Sequence, residues 1–336
     1  MEKIAVVIPC FRVKAKILDV IQRVPASISY IIIVDDQCPE NSGTWVKENC
    51  RDPRLTVVHH PENQGVGGAM VTGYRTALEL GASVIVKIDG DGQMAPELIP
   101  RFVDPILAGR ADYTKGNRFF RRQFLSGMPL IRLFGNMSLS FVTKVVTGYW
   151  QLMDPTNGYT AIHARVLSEI LTDPLEKRYF FETDMLFRLS ALRAVVMDVP
   201  MRAVYADERS SLSVRRVLMT WPLKYSQRFL KRLAYNYVLR DFNFGSIAGI
   251  VGAVLLFWGT GFGLERWYYF STHGLAAPSG TVMLAALPIL AGIQLVLSAL
   301  NYDMKNVPHV PIHPFLTSGD EPVSADSNLT SSRARS

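Results

Sequence analysis

The sequence predicts an α/β domain with a mostly parallel central sheet and helices on both sides, followed by basic amphipathic helices and two transmembrane helices. Three observations predict it. Short, wholly apolar strand-like runs alternate with helix-spaced stretches in the first third of the chain. A stretch rich in Lys and Arg and free of Asp and Glu then covers 214–240. Beyond it lie two uncharged runs, each long enough to cross a bilayer.

The strand-like runs are 3–9 (KIAVVIP), 30–36 (YIIIVDD), 54–59 (RLTVVH) and 83–89 (SVIVKID), and helical spacing appears at 66–80 and 96–108. Strands that are apolar on both faces and alternate with helices belong in a parallel sheet covered on each side. Ligands of such sheets bind beyond the carboxyl ends of the strands. Polar residues gather at those ends: Asp35 and Asp36 after the second run, and Asp89 to Gln93 after the fourth.

In 214–240 the basic residues Arg215, Arg216, Lys224, Arg228, Lys231, Arg232 and Arg240 interleave with Leu, Trp, Tyr and Phe. That composition fits an amphipathic helix on an anionic membrane surface rather than a nucleic-acid patch. Residues 244–264 and 280–302 carry no charge. At 1.5 Å rise per residue the first spans roughly 30 Å, the hydrocarbon thickness of a bilayer. Gly245, Gly249, Gly259 and Gly263 are spaced for close helix–helix packing. The basic side before the first span is expected to be cytoplasmic, and two spans return the chain to that side. The start of the chain lacks the apolar segment of a signal peptide, which also places the domain in the cytoplasm. Residues 306–336, rich in Pro, Ser, Thr and Asp, read as a disordered tail. The expected division is 1–212 catalytic domain, 213–242 juxtamembrane helices, 243–303 transmembrane hairpin and 304–336 tail.

The chain has 336 residues and a formal net charge of +7, and 49% of its residues are hydrophobic. The basic balance suits nucleic acid, anionic lipid or a phosphorylated substrate, and its position beside the apolar runs selects the lipid and excludes nucleic acid. Cys10, Cys38 and Cys50 show no CxxC spacing and read as reduced thiols.

Asp89-Gly90-Asp91-Gly92-Gln93 is the strongest chemical feature. Two carboxylates and an amide oxygen at a strand end make a hard oxygen site suited to Mg²⁺ or Mn²⁺ bridging a diphosphate; a polar turn is the bland reading. Asp35-Asp36 is read either as a hydrogen-bond acceptor for base or ribose or as a helix cap or turn. Asn63-Gln64-Gly65-Val66-Gly67-Gly68-Ala69 is a glycine-rich lead into a helix that lets backbone approach a ligand, and it is neither a P-loop nor GxGxxG.

Taken in order, Ile8-Pro9-Cys10-Phe11, Val34-Asp35-Asp36, Asn63-x-Gly65-x-x-Gly68-Ala69 and Asp89-x-Asp91-x-Gln93 resemble the GT-A domain of family 2 glycosyltransferases. Within them the chain resembles the polyprenyl-phosphate glycosyltransferases, of the dolichol-phosphate mannose synthase type, over about 1–303. The resemblance implies a nucleotide-sugar site formed by Pro9, Phe11, Asp35, Asp36, Gly68, Asp89, Gly90, Arg209 and Ser213, with the metal on Asp89, Asp91 and Gln93. It places acceptor phosphate on Arg118 and Arg132, with Asn136 and Asn157 nearby, in Lys115-Gly116-Asn117-Arg118 and the loop Asp154 to Tyr159. Val214 stands where the family often has Lys, so Arg209 or Arg215 takes over that work. Phe181-Glu182-Thr183-Asp184 falls where hydroxyl-directed members keep a general base; Asp184 or Glu182 is that base or a helix-terminal charge.

The implied reaction moves one sugar from a UDP- or GDP-sugar to undecaprenyl or dolichyl phosphate, by inversion, in a prokaryotic inner membrane. Asp91, Arg118, Arg132 and Asp184 are the catalytic candidates. QxxRW, the mark of processive synthases, is absent. A hydroxyl of a lipid-linked glycan is the alternative acceptor, and a non-catalytic membrane scaffold is the alternative of another class. The resemblance also allows a homo-oligomer.

Overall fold

The computed structural model describes residues 2–120, 130–202 and 214–316, apart from the side chains of 130–134 and 214–219. The first apolar run forms β1 (Ile4–Cys10), and the others form β2 (Tyr30–Asp35), β3 (Leu55–His59) and β4 (Val84–Lys87). Later strands are β5 (Tyr113–Asn117), β6 (Thr160–His163) and β7 (Val196–Pro200). They make one seven-stranded sheet in the order β3-β2-β1-β4-β6-β5-β7. Six strands point the same way; β6 pairs antiparallel with both β4 and β5.

That single reversal delivers the loop before β6 to the active edge. β6 begins where its neighbours finish, so Thr160 is in register with both Lys87 and Lys115. The loop 154–158 is therefore held against the ends of β4 and β5.

Helices α1 (Ile17–Gln22), α2 (Ser42–Asn49), α3 (Gly65–Glu79), α4 (Ile99–Leu107), α5 (Leu130–Thr147), α6 (Ala164–Ile170) and α7 (Phe181–Leu192) complete the domain. Alternation along each strand feeds two cores. Ile85, Val7, Val34 and Tyr113 pack with residues of α3, α6 and α7, whereas Val86, Val6, Ile33 and Ile88 pack with α1 and α4.

Helix α8 (Val214–Ala234) continues into a π-helical turn, Tyr235–Arg240. Its polarity is inverted relative to a solvent-facing helix. Lys224 and Arg228 reach inward to Glu176 and Asp184, and Arg232 reaches Asp303. Leu223, Leu230, Val238 and Leu239 face outward, exposed. The basic residues expected to meet lipid thus include three that serve as internal tethers, because buried or half-buried carboxylates lie opposite them at one-turn intervals.

The two apolar runs become α9 (Phe244–Thr272) and α10 (Ser279–Lys305), helices long and apolar enough to cross a membrane. They pack on each other with the expected glycine contacts and more. An added Cβ at Gly252 or Gly259 would lie 3.0 Å from Leu295 or Ile289, and one at Gly292 would lie 2.9 Å from the Gly252 carbonyl oxygen. After α10 the chain departs from the expected tail. Val307, Ile312 and Leu316 pack against the core on the α6–α7 face, and the backbone amides of Ile312 and His313 donate to Asp112. A buried carboxylate at 112 needs donors, and this segment supplies them. Residues 317–336 lie outside the described residues.

Candidate active site

The edge where the parallel strands end carries most of the predicted residues. Pro9 closes in on this edge, and Phe11 follows it, 42% exposed. Asp35 is buried and accepts the amides of Cys38 at 2.7 Å and Gly43 at 2.6 Å. From the end of β2 it thus accepts a first-turn amide of α2, whose N-cap residue is Asn41. Asp36 accepts the amides of Gln64 and Gly65 at 2.8 and 2.7 Å and also contacts His60 Nδ1 at 2.8 Å. It therefore holds the glycine-rich loop in place from the neighbouring strand end.

The glycines of that loop serve a different approach from the one expected. The Gly68 amide donates to the Lys177 carbonyl oxygen, and an added Cβ at Gly67 would lie 2.1 Å from the Glu176 carbonyl oxygen. They make room for the backbone of 176–178, which needs contact closer than any side chain allows.

Asp89 lies two residues past Lys87 on the same side of the strand. Lys87 is 2% exposed, and its ammonium donates to Asp89 Oδ1 at 3.0 Å and the Gly158 carbonyl oxygen at 3.1 Å, with Glu182 Oε1 at 3.5 Å. These anions outweigh its burial and raise its pKa, so it stays charged. Gly90 is wedged against Ile17, Val13 and Ile8, where a Cβ would approach to 2.8 Å. Gly92 adopts φ +76°, the left-handed region glycine favours. Asp91 Oδ1 accepts the Gln93 amide at 2.9 Å, which ties the turn together.

The donor set fits a hard divalent cation. Among the described residues no group of three or more His, Cys, Asp or Glu gathers around one point. Two carboxylates and an amide would leave half of an octahedral shell to diphosphate oxygens and water, an arrangement that suits Mg²⁺ or Mn²⁺ on a nucleotide.

Just past β5, Arg118 grips Asp154 through Nε at 2.6 Å and Nη2 at 2.9 Å. Asp154 is fully buried, and Arg118 keeps 19% of its side chain exposed at the edge. The forked pair fixes the guanidinium plane. Asn157 departs from the acceptor assignment. It is buried, donates to Asp154 and accepts the Tyr159 amide, so its side chain shapes the loop instead of reaching a ligand. Asn136 lies half-buried on α5. Arg132 lies on α5 with its side chain outside the description, and Arg209 and Ser213 lie outside the described residues.

Asp184 departs from the base assignment. It is fully buried, and its carboxylate contacts Arg228 Nε at 2.7 Å and Arg188 Nε at 3.2 Å and accepts the Glu176 amide. Two residues earlier on α7, Glu182 reaches Lys87. A carboxylate at 184 points from α7 toward α8, away from Lys87.

Sequence reasoning passed over Lys87, Lys115 and Asp198. Lys115 is fully buried and donates to the Asn157 carbonyl oxygen; burial lowers its pKa to about 8. Asp198, its register partner on β7, is pushed up to about 6 by burial. The available signal was a lysine inside each of two otherwise buried strand segments, VIVK and YTKGN. Cys10 and Cys38 are buried free thiols, as expected.

The seven-stranded, mostly parallel sheet covered by helices on both faces is a GT-A fold. Residues 5–171 match the family described as Glycosyl transferase family 2. An undecaprenyl-phosphate mannosyltransferase of Micrococcus luteus is 33% identical over 52% of this chain and 72% of its own. A UDP-N-acetylglucosamine–dolichyl-phosphate N-acetylglucosaminyltransferase of Methanococcus voltae is 29% identical over 61% of this chain and 86% of its own. The fold is shared with a glucosyl-3-phosphoglycerate synthase of Mycobacterium tuberculosis, solved with Mn²⁺, UDP-glucose and phosphoglyceric acid, at TM-score 0.50 and 16% identity over 69% of this chain and 79% of that one. The chain belongs to glycosyl transferase family 2.

Proposed function

We propose that this chain transfers one sugar, with inversion, from a nucleoside diphosphate sugar to polyprenyl phosphate at the cytoplasmic face of a prokaryotic inner membrane. The observation that carries the reading is the anchoring of the apolar hairpin to the α/β domain at its polar end. Asp303, in the last turn of α10, binds Arg232 of α8 and Trp150 of the domain, while α9 leaves from the end of the same basic segment. Both hairpin ends therefore meet the catalytic domain, and Leu223, Leu230, Val238 and Leu239 offer a bilayer-facing apolar surface beside them. The two relatives act on polyprenyl phosphates by name, and both come from prokaryotes.

Asp89, Asp91 and Gln93 would hold Mg²⁺ or Mn²⁺, which neutralises charge on the departing diphosphate when bound. Arg118, fixed by Asp154, presents its exposed face to the acceptor phosphate. An acceptor phosphate oxygen attacks the anomeric carbon, and the bond to the diphosphate breaks with its electron pair leaving on the nucleoside diphosphate. The phosphate is already anionic, so no proton need be removed. That agrees with Asp184 being bound up by two arginines.

The test is to incubate purified protein in nanodiscs with polyprenyl phosphate, Mn²⁺ and a panel of UDP- and GDP-sugars. A sugar–phosphate–polyprenol of the right mass is the expected product, lost on the order of a hundredfold in Asp91→Ala. Transfer by Asp91→Ala at the wild-type rate, or no lipid product from any donor, overturns the reading.

A further inference from the structure

Lys87 is the residue whose chemistry the function above leaves unused. A lysine ammonium buried this deeply is costly unless it is paired on several sides. Here it is placed by strand alternation: Ile85 lies in the core under α3 and α7, and Lys87 is the next side chain on that face. Its ammonium arrives where three separate elements converge, namely the acidic turn at Asp89, the loop at Gly158 and the first turn of α7 at Glu182.

Two details give it a part in donor binding rather than in folding alone. Only one oxygen of Asp89 is taken, Oδ1, and among the described residues no hydrogen bond to Oδ2 is made. In addition, an added Cβ at Gly158 would lie 2.7 Å from Lys87 Nζ and 3.2 Å from Asp89 Oδ2. The glycine thus leaves space around the carboxylate and its lysine that a side chain would fill.

We propose that Lys87 is a positioning residue for the donor site: it fixes the Asp89 carboxylate through Oδ1, keeps Oδ2 for the cation, and locks the Gly158 loop alongside. The proposal rests on the reading of Asp89 as a cation ligand. A free carboxylate rotates about its side-chain bonds, and holding one oxygen removes that freedom before the ligand arrives. The lysine also carries positive charge next to a site that must receive a diphosphate. Glu182 balances part of that charge, which is a role distinct from a general base.

The experiment uses full-length protein in nanodiscs and reads binding rather than turnover. Calorimetric titration of UDP and of GDP is done at a series of Mn²⁺ concentrations, with the melting temperature recorded alongside. Lys87→Met is expected to weaken nucleotide affinity in Mn²⁺ by about tenfold or more, the worth of one lost charge-assisted hydrogen bond. The Mn²⁺ concentration for half-maximal binding should rise in step. In Lys87→Ala, added methylammonium should restore part of the affinity by occupying the vacated space. Gly158→Ala keeps the ammonium but crowds it, and it serves if the lysine variants do not fold; it should raise the Mn²⁺ requirement as well. A folded Lys87→Met with wild-type affinity and Mn²⁺ requirement overturns the proposal, and so does an unchanged requirement in Gly158→Ala. If the wild type binds neither nucleotide with Mn²⁺, the donor-site reading itself falls, and the positioning role falls with it.

Discussion

Arg232 and Asp303, 71 residues apart in the chain, are joined by hydrogen bonds of 2.8 and 3.0 Å that tie α8 to the last turn of α10. Trp150 Nε1 and the Tyr237 hydroxyl donate to the same carboxylate, and the second Arg232 nitrogen also reaches the Val145 carbonyl oxygen. The carboxylate is the common anchor of domain, juxtamembrane helix and hairpin. Removing the cation leaves a buried charge short of its partner, which is worth about 3 kcal/mol. Arg232→Ala should therefore lower the melting temperature and open the 235–243 junction to protease, with nucleotide binding retained at low temperature. An unchanged melting temperature and cleavage pattern would remove the anchor from this account.

Asp184→Asn and Glu182→Gln separate the two acidic residues of α7. Asp184 is fully buried between Arg188 and Arg228, so Asp184→Asn should destabilise by about 3 kcal/mol. The rate per folded molecule should hold within a few-fold, with the same pH–rate profile. A loss of the acid-limb pKa from that profile, without loss of stability, would return Asp184 to the role of base and point to a hydroxyl acceptor.

Gly292 sits where its own Cβ would lie 2.8 Å from Leu256 and 2.9 Å from the Gly252 carbonyl oxygen. Gly292→Leu should force α9 and α10 apart. Close packing is the main attraction between helices in lipid, where no hydrophobic effect acts between them. The expected outcome is faster proteolysis of the hairpin in detergent and a lower melting temperature, whereas Gly280→Leu, which meets nothing within 4 Å, should be silent. Equal behaviour of the two variants would show that the contact carries no stability.

The pair Lys115 and Asp198 sets a pH dependence of stability. Burial raises the Asp198 carboxyl from 3.8 to about 6. Between those values the folded chain holds a proton that the unfolded chain has released, so stability falls as pH rises through that window. Lys115 is lowered from 10.5 to about 8. Between 8 and 10.5 the unfolded chain binds the extra proton, so stability rises with pH there. Among the described residues Asp198 Oδ1 has no hydrogen-bond partner, while Oδ2 accepts from Asn117 Nδ2 and the Met153 amide. Asp198→Asn keeps one acceptor for those donors and removes the lower window. The difference in melting temperature, variant minus wild type, should grow from pH 4 to pH 6.5, and a flat difference would contradict the burial argument.

The first four strands were legible because they are largely apolar on both faces, the pattern of a covered parallel sheet. The second spans, α9 and α10, were legible from absence of charge over bilayer length, and the structure extends the first to Thr272, past Glu265 and Arg266. The acidic turn was legible because its carboxylates are neighbours in the chain. Lys87 was not, since its partners Gly158 and Glu182 lie 71 and 95 residues away. Asp184 was left between base and helix-terminal charge for the same reason: Arg228, which occupies it, comes from a distant segment.

Hydrophobic periodicity, charge segregation and short-range motifs therefore determined the α/β class, the two long apolar helices and the acidic turn, because each is a property of residues near one another in the chain. The tertiary structure alone decided which polar groups remain available for ligands. A buried carboxylate or ammonium must find a partner, and long-range packing chooses it: α8 for Asp184, the sheet edge for Lys87, and the end of α10 for Arg232.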